Sequence, residues 1–398
     1  MNQKEILDSL FISFYNRNTE SIIQILSNSS FITPDFTFDD IPPKCRIYGR
    51  PPFPLLNITS TLGYLEASQM LLHNGADYDC VDGFKNSPLH CAAISGNTNL
   101  MDLLLFEYNC DPTPKNCNND LPIHIAASFN QSEAVLYLIK NAKNKVDEKN
   151  DSGKTTLSIA VEKNNLPLVQ YLINVCSSDV TTIDNNRNTL LHIAVQNKCI
   201  AVLQYLLSLN KININNKNDE GFTPLLISAL VGNPEIFNAL LSSGACPLDL
   251  DKKGRSIIHL SIKSSSFDIF NCIIQNQLVY PFERDKSLLT SFHYAAASRD
   301  IRFIQVLGSL DGTLINDDEC GFTPLHIACK HQNLEIAKFI ISCPIIDPLI
   351  LNKYGQSPLH IAARSSNYEL FLFILSGNYY DFTVSDANGV SFYIFPFD

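Results

Sequence analysis

The chain has 398 residues, of which 45% are apolar and 17% charged, a composition that supports an extensive core and excludes global disorder. Its formal charge of −11 argues against binding to a nucleic-acid backbone, because that mode requires a basic surface. The sequence shows no signal peptide, no run of 18 apolar residues and no C-x-x-C pair among its twelve cysteines. We therefore expect a cytoplasmic protein, with the nucleus as an alternative, that has reduced thiols and no membrane insertion.

The first 50 residues differ from the rest of the chain. Residues 1–30 carry two apolar stripes, one including Leu10 and Phe14 and the other including Ile22, so we predict an N-terminal helical capping unit. Residues 31–50 are rich in proline and aromatic residues and show no period. We interpret this segment as an insertion that is either an ordered lid on the stack or a mobile segment.

From residue 51 onwards one short pattern recurs. It reads SPLHC at 87–91, TPLHI at 323–327 and SPLHI at 357–361. Its second position returns every 34 residues, except for two intervals of 33, which is typical of a repeat array. The residues at this position are Pro54, Pro88, Pro122, Thr156, Leu190, Pro224, Ile257, Ser291, Pro324 and Pro358.

Each repeat predicts the same local structure. A turn such as residues 318–321 precedes a short helix with small residues such as Ala92 and Ala93, and a polar break then leads into a second, strongly apolar helix such as 202–207. One helix pair of this size cannot bury both of its faces. Successive pairs must therefore stack, and each repeat depends on the next.

This pattern resembles the ankyrin repeat family, whose unit of about 33 residues carries a T-P-L-H-x-A core. The likeness rests on TPLHIA at 323–328, SPLHCAA at 87–93 and NGAD at 74–77. It implies an all-α repeat solenoid, a stack of helix–turn–helix units with β-hairpin loops. We expect about ten repeats over residues 51–380 and a partial repeat at 381–398 that caps the C-terminus.

Seven of the nine histidines occupy the fourth position of the pattern. The resemblance implies that these imidazoles hydrogen-bond the backbone and tie neighbouring repeats together. A catalytic or metal site would need them to converge, whereas one histidine per repeat spreads them along the array. The predicted structural histidines are His90, His124, His192, His259, His293, His326 and His360.

The stretch GFTPLHIACKHQ illustrates the distinction between structural and surface residues. His326 belongs to the pattern and is interpreted as structural, and Cys329 follows a small residue of the first helix, which predicts a buried thiol. His331 falls where this family faces its ligands, so we interpret it as a surface contact residue.

No enzyme signature is present, whether for phosphate loops, dinucleotides, zinc proteases or serine hydrolases. We therefore expect a non-enzyme with no catalytic residues, no metal and no cofactor. An active site in residues 31–54 would be the alternative, with Cys45 as its one thiol.

The resemblance implies that partners dock on the concave side, at loop tips and at the ends of the first helices. The predicted partner-binding residues are Phe84, Ile94, Phe129, Lys154, Lys163, Gln196, Phe222, Lys252, Lys253, Arg255, Lys263, Lys330, His331 and Tyr354.

Two groups in this set allow alternative interpretations. Phe84, Ile94 and Phe129 are either exposed anchors for a partner or residues that pack between loops. A basic patch is either a solvated face or the receptor for an acidic segment of the partner, and it consists of Lys252, Lys253, Arg255 and Lys263.

The leading functional hypothesis is a monomeric scaffold or adaptor that binds partner proteins and no nucleic acid. The alternative is a regulatory or targeting subunit of a multi-protein enzyme such as a phosphatase or a ubiquitin ligase, with residues 31–50 as the docking element.

Overall fold

The computed structural model describes residues 6, 9–10, 12–14, 16, 18–28, 35–38, 52–141, 146–310, 317–343, 349–365 and 367–377. The chain divides into two units, Met1–Leu206 and Leu207–Asp398. The predicted C-terminal partial repeat at 381–398 lies outside the described residues. So do most of the predicted insertion at 31–50, with Cys45, and parts of the predicted N-terminal capping unit.

The first unit is a stack of helix pairs. The first helices of successive pairs pack against each other, from α2 to α10. The elements in chain order are α1 (Thr19–Asn28), β1 (Thr37–Phe38), β2 (Phe53–Pro54), α2 (Leu55–Leu62), α3 (Leu65–His73), α4 (Pro88–Ser95), α5 (Thr98–Asp102) continuing as a π-helical turn (Leu103–Glu107), α6 (Pro122–Ser128), α7 (Ser132–Asn141), α8 (Thr156–Glu162), α9 (Leu166–Asn174), α10 (Leu190–Gln196) and α11 (Ile200–Ser208).

The second unit repeats the same arrangement in two layers. Its first helices pack in succession, and so do its second helices. The elements are α12 (Pro224–Val231), α13 (Pro234–Ser242), α14 (Ile257–Lys263), α15 (Phe267–Gln275), α16 (Ser291–Ala297), α17 (Ile301–Leu310), α18 (Pro324–Lys330), α19 (Leu334–Ser342), α20 (Pro358–Arg364) and α21 (Tyr368–Ser376). The fold class is therefore all-α, built from repeated helix pairs.

The loop before each first helix is closed by one Asp or Asn side chain, called the Asx residue below. Its Oδ1 accepts hydrogen bonds from the backbone N–H groups two and four residues later, as Asp318 does from Cys320 and Phe322 at 2.8 Å. The Asx residues recur at intervals of 33 or 34 residues and are Asp82, Asn116, Asn150 and Asp184 in the first unit and Asn218, Asp251, Asp285, Asp318 and Asn352 in the second.

The expected β-hairpin loops are therefore not regular strands. The Asx side chain takes the N–H groups that a strand ladder would use. Within the described residues, strand pairing is limited to β1 with β2 and to one isolated bridge between Ile183 and Thr189.

The T-P-L-H pattern marks the N-terminus of a first helix. In the 323–326 copy, Thr323 is the N-cap, Pro324 occupies the first helical position and Leu325 is buried in the core. The N–H of Thr323 donates to Nδ1 of His326 at 3.1 Å, while Nε2 of His326 lies 3.0 Å from the carbonyl oxygen of Gln356 in the next repeat. One imidazole thus caps its own helix and holds the following loop.

The same geometry recurs at other repeats. Nε2 of His90, His124 and His293 lies 2.9 to 3.0 Å from a carbonyl oxygen of the next repeat. Because a backbone N–H donates to Nδ1, that nitrogen carries no proton, and the proton is on Nε2, which donates to the carbonyl. These buried rings are therefore neutral.

We predict that His326 and His331 differ sharply in their effect on stability. His326→Leu removes both hydrogen bonds. It leaves the N–H of Thr323 buried without a partner and leaves the carbonyl of Gln356 with its hydrogen bond from the N–H of Asn352, which should lower the free energy of unfolding by about 2 kcal/mol. His331 is exposed, so His331→Leu should change it by no more than about 0.5 kcal/mol. Urea denaturation followed by circular dichroism measures both, and equal effects of the two substitutions would contradict the structural role of His326.

We also predict that acid weakens the fold before the carboxylates titrate. Burial lowers the pKa of His90, His259 and His326 from 6.5 to about 4. The unfolded chain therefore binds more protons than the folded chain between these values, so stability is full above pH 6.5 and declines as the pH falls towards 4. Each imidazole contributes on the order of 3 kcal/mol across that window.

The measurement is the urea midpoint at several pH values between 7.5 and 4. His326→Leu should show a smaller pH dependence than the wild type, because one titrating ring is gone. A midpoint that stays constant between pH 7 and 5 would show that the rings titrate normally in the folded chain.

Candidate protein-binding surface

Two positions of each repeat, together with the residues directly after them, form what we call the inner surface. The tip position directly follows the Asx residue, and the helix-end position comes four residues after the fourth position of the pattern, in the final turn of the first helix. The tip residues are Gly83, Cys117, Asp151 and Asn185 in the first unit and Asp219, Lys252, Lys286, Glu319 and Lys353 in the second. The helix-end residues are Ile94, Ser128, Glu162 and Gln196, then Leu230, Lys263, Ala297, Lys330 and Arg364.

Backbone hydrogen bonds align the tips within each unit. In the first unit the N–H of Asp151 donates to the carbonyl of Asn118 at 3.0 Å. In the second, the N–H of Lys286 donates to the carbonyl of Lys253 at 2.9 Å, and that of Lys353 to the carbonyl of Cys320 at 3.0 Å. Side chains at equivalent tips therefore form a row at a regular spacing.

The three apolar residues predicted for the first unit are placed differently. Ile94 is only 8% exposed, so its predicted role as an exposed anchor is wrong and the packed alternative holds. Nε2 of Gln131, from the next repeat, donates to the backbone carbonyl of Ile94 at 3.1 Å. Phe84 is half-buried at a loop, and Phe129 is 37% exposed just beyond the end of α6.

Two of the three polar residues predicted for the first unit border a cleft of about 320 Å³ between the α6 and α8 repeats. Lys154 lines it and pairs with Glu162, with Nζ and Oε2 2.5 Å apart. Lys163 is exposed at the same cleft, and Gln196 is exposed one repeat further along. Asp120 and Asp151 also line the cleft, so its walls carry both signs of charge.

Two residues predicted for the second unit belong to the framework instead. Phe222 is 6% exposed and Arg255 is 7% exposed. The guanidinium of Arg255 pairs with the Asx residue Asp251 at 2.6 Å and lies 5.7 Å from the centroid of the Phe222 ring. Both residues directly precede an N-cap, where the chain turns inwards, so their assignment to the partner-binding surface is wrong.

The remaining lysines of the predicted basic patch are exposed. Lys252 and Lys253 lie at one loop tip, and Lys263 lies at the end of the adjacent helix α14. Desolvation, Arg255 and Lys253 lower the pKa of Lys263, which indicates that positive charge is concentrated here. Three of the four residues of the predicted patch are therefore exposed lysines, and the fourth, Arg255, belongs to a buried ion pair.

The last predicted residues lie two repeats further along the second unit. Lys330 and His331 are exposed at the end of α18, and Nζ of Lys330 lies 5.7 Å from the centroid of Phe322. Desolvation and Lys330 lower the pKa of His331, so its imidazole resists protonation. Tyr354 is 50% exposed at the next tip, with its hydroxyl 3.8 Å from Sγ of Cys320.

Lys286 is an exposed residue of this surface that the sequence prediction missed. It occupies the tip between those of Lys252 and Glu319. The spacing from Asx to Asx would have identified it, because Lys252, Lys286 and Lys353 each directly follow an Asx residue. The T-P-L-H pattern alone does not identify this position.

The chemical groups of the surface suit binding more than catalysis. Within the part of the chain that the structure describes, no group of three or more His, Cys, Asp or Glu side chains could hold a metal ion. Cys329 is buried beside His326, and burial raises the pKa of its thiol to about 12, which makes it a poor nucleophile. No helix among the described residues has the length and apolar content to cross a membrane.

Comparisons with known proteins find partial similarity to several repeat proteins. The chain is 29% identical over 124 residues to Rabankyrin-5 of Homo sapiens, a match that covers 31% of this chain and 11% of that protein. It is 28% identical over 127 residues to the probable 26S proteasome regulatory subunit p28 of Saccharomyces cerevisiae, covering 31% and 55%. It is 27% identical over 153 residues to the tyrosine-protein kinase HTK16 of Hydra vulgaris, covering 35% and 19%. The chain thus covers less than two thirds of each of these relatives.

The family comparison covers far more of the chain. Sequence models of ankyrin repeats match residues 56–150, 142–218, 209–280 and 292–386. These matches span the stacked helix pairs of both units and agree with the T-P-L-H caps and the inner surface that the structure displays. The chain therefore belongs to the ankyrin repeat family, whose repeats indicate protein–protein interaction.

Proposed function

We propose that this protein is a non-enzymatic scaffold or adaptor that binds partner proteins through the inner surface. One observation carries the proposal, namely the separation between framework and surface. The Asx side chains and the pattern histidines hydrogen-bond the backbone, while tip and helix-end side chains such as Lys252, Lys263 and Gln196 stand exposed beside them. A rigid backbone with freely chosen side chains suits recognition, because little conformational entropy is lost on binding.

The proposal places the protein in the cytoplasm as a monomer that requires no cofactor. Its first unit offers Phe129, Lys163 and Gln196 as contacts, and its second offers Lys253, Lys263 and Tyr354. An aromatic side chain beside polar groups is the usual composition of an interface anchor.

A second candidate is a regulatory or targeting subunit of a multi-protein enzyme. The partial match to a yeast protein named as a probable proteasome regulatory subunit favours it. In that case the partner would be one subunit of a large assembly, and phosphatase or ubiquitin-ligase assemblies are further options. Residues 31–50 would then serve as a docking element.

We predict that capture of a partner depends on the inner surface. Tagged protein would be expressed in its native cell and purified with its partners, which mass spectrometry identifies. The inner variant Phe129→Ser, Lys163→Glu, Gln196→Ala, or the variant Lys253→Glu, Lys263→Glu, Tyr354→Ala, should lose a partner that the wild type retains. Loss of one central anchor in an interface commonly costs about 2 kcal/mol, or roughly thirtyfold in affinity.

The matched control carries the same kinds of change on the second helices, as Phe106→Ser, Lys140→Glu and Gln275→Ala, all at exposed positions. It should capture partners like the wild type. Loss with the control but not with the inner variants would place the binding site on the opposite side and overturn the proposal. Comigration of the partner with a large enzyme assembly in gel filtration would favour the second candidate.

A further inference from the structure

Cations occupy equivalent positions along the inner surface of the second unit. Three of its tip residues are lysines, and three of its helix-end residues are lysine or arginine. In the first unit, the same two positions hold no cation from residue 83 to residue 196. The six residues, which we call the cationic row, are Lys252, Lys263, Lys286, Lys330, Lys353 and Arg364.

The lysines of the row lack the carboxylate partners that four other lysines have. Lys115, Lys154, Lys217 and Lys338 each pair with a carboxylate at 2.5 to 2.9 Å. Among the described residues, no lysine of the row lies within 4 Å of a carboxylate oxygen. Lys353 instead donates to the backbone carbonyl of Glu319 at 2.6 Å. The five lysines of the row therefore carry positive charge that the described carboxylates do not neutralise by direct pairing.

Three carboxylates in the loops of the row are committed to the framework. Asp251 holds its own loop and pairs with Arg255, and Asp285 holds its loop and accepts a hydrogen bond from the hydroxyl of Tyr294 at 2.9 Å. Asp318 closes the next loop in the same way. Glu319 is exposed at the tip between Lys286 and Lys353 and interrupts the row once.

We infer that the second unit binds an extended acidic segment of a partner protein along the cationic row. This inference rests on the proposed function and deepens it by naming the chemistry of the partner. The carboxylates of the segment would form the ion pairs that the lysines of the row lack within this chain. Charge complementarity of this kind fixes the register of a bound peptide and speeds its association.

The spacing of the row sets the length of the segment. Three steps separate the repeat of Lys252 from that of Lys353, and helices pack about 8 to 10 Å apart, so the row extends roughly 30 Å. An extended peptide advances about 3.3 Å per residue, and about ten residues cover that distance. The expected ligand is therefore a segment with several Asp or Glu residues within about ten positions.

A nucleic acid fits the row less well than a peptide does. Duplex DNA presents one charge per about 1.7 Å, whereas six cations interrupted by Glu319 are spread over roughly 30 Å. The net charge of −11 also opposes a polyanion that extends beyond the row. A peptide with spaced carboxylates meets both constraints.

The test measures fluorescence anisotropy of two labelled peptides of about twelve residues. One alternates Glu with Ser, and the other alternates Gln with Ser. The wild type should bind the Glu peptide at least about tenfold more tightly than the Gln peptide, and added salt should weaken that binding. The variant Lys252→Glu, Lys286→Glu, Lys330→Glu should lose at least about tenfold in affinity.

The control variant Lys140→Glu, Lys149→Glu, Lys198→Glu, at three exposed positions, changes the net charge equally, but on the first unit. It should retain the affinity of the wild type apart from the general effect of net charge, which both variants share. If the reversed row fails to fold by circular dichroism, Lys252→Gln, Lys286→Gln, Lys330→Gln replaces it and should lose affinity in the same direction.

Three results would overturn the inference. They are equal binding of the Glu and Gln peptides, equal binding by the row variant and the wild type, and tighter binding of single-stranded oligothymidine than of the Glu peptide. Capture of a cellular partner separates this failure from failure of the proposed function. If a cellular partner requires the cationic row but the protein binds the Glu and Gln peptides equally, the row is a partner-binding surface and the acidic chemistry assigned to the partner is wrong.

Discussion

The structure depends on a neutral imidazole that serves two repeats at once. Nδ1 of His326 accepts the N-cap N–H of its own helix, and Nε2 points to the carbonyl of Gln356 in the next repeat. One side chain thus satisfies a buried N–H that would otherwise cost about 1 to 3 kcal/mol, and adds a second donor to a carbonyl that already accepts from the N–H of Asn352. Protonation would place a second donor opposite the N–H of Thr323, which is why burial and this geometry both favour the neutral ring. Ser158 and Leu226 replace the histidine in their repeats, where the N-caps Thr155 and Thr223 instead accept the N3 N–H through their own hydroxyls.

Because the Asx side chains and the pattern histidines hydrogen-bond the backbone, the residues next to them can vary without changing the fold. A tip residue follows the Asx residue directly, and its side chain does not help to close the loop, so Gly83, Asp151 and Lys286 all fit the same backbone. Comparing the residues at the same position of successive repeats therefore shows how the surface chemistry varies along the chain. A mixed set of charges lines the cleft of the first unit, while cations recur at equivalent positions in the second. Chemistry at these positions is decoupled from folding, so a surface can change without a large loss of stability.

Much of this arrangement could be predicted from the period and the T-P-L-H pattern, including the helix pairs, the family and the place of the histidines. The exposure of individual side chains could not. Phe222 and Arg255 both precede an N-cap, and whether a side chain there turns inwards depends on its partner, which for Arg255 is a carboxylate four residues earlier. Ile94 is buried where its backbone carbonyl accepts a hydrogen bond from Gln131, a residue 37 positions later, and no local pattern encodes that contact. Lys286 was missed because the prediction located surface positions from the T-P-L-H pattern and not from the Asx residue. The predicted cap at 381–398 stays a prediction.

An acidic chain can still present an attractive surface to an acidic partner, because repulsion by the net charge and attraction by individual lysines act over different distances. At physiological salt the Debye length is about 8 Å, so charges elsewhere on the chain are largely screened at the row. A carboxylate that approaches Lys252 or Lys286 interacts mainly with that lysine and its neighbours, including Lys253 and Lys263. Net charge therefore governs solubility and general repulsion, while the placement of a few lysines on successive tips governs contact. The charge of −11 argues against long polyanions, but it sets no such limit on a short acidic segment whose charges all lie over the row.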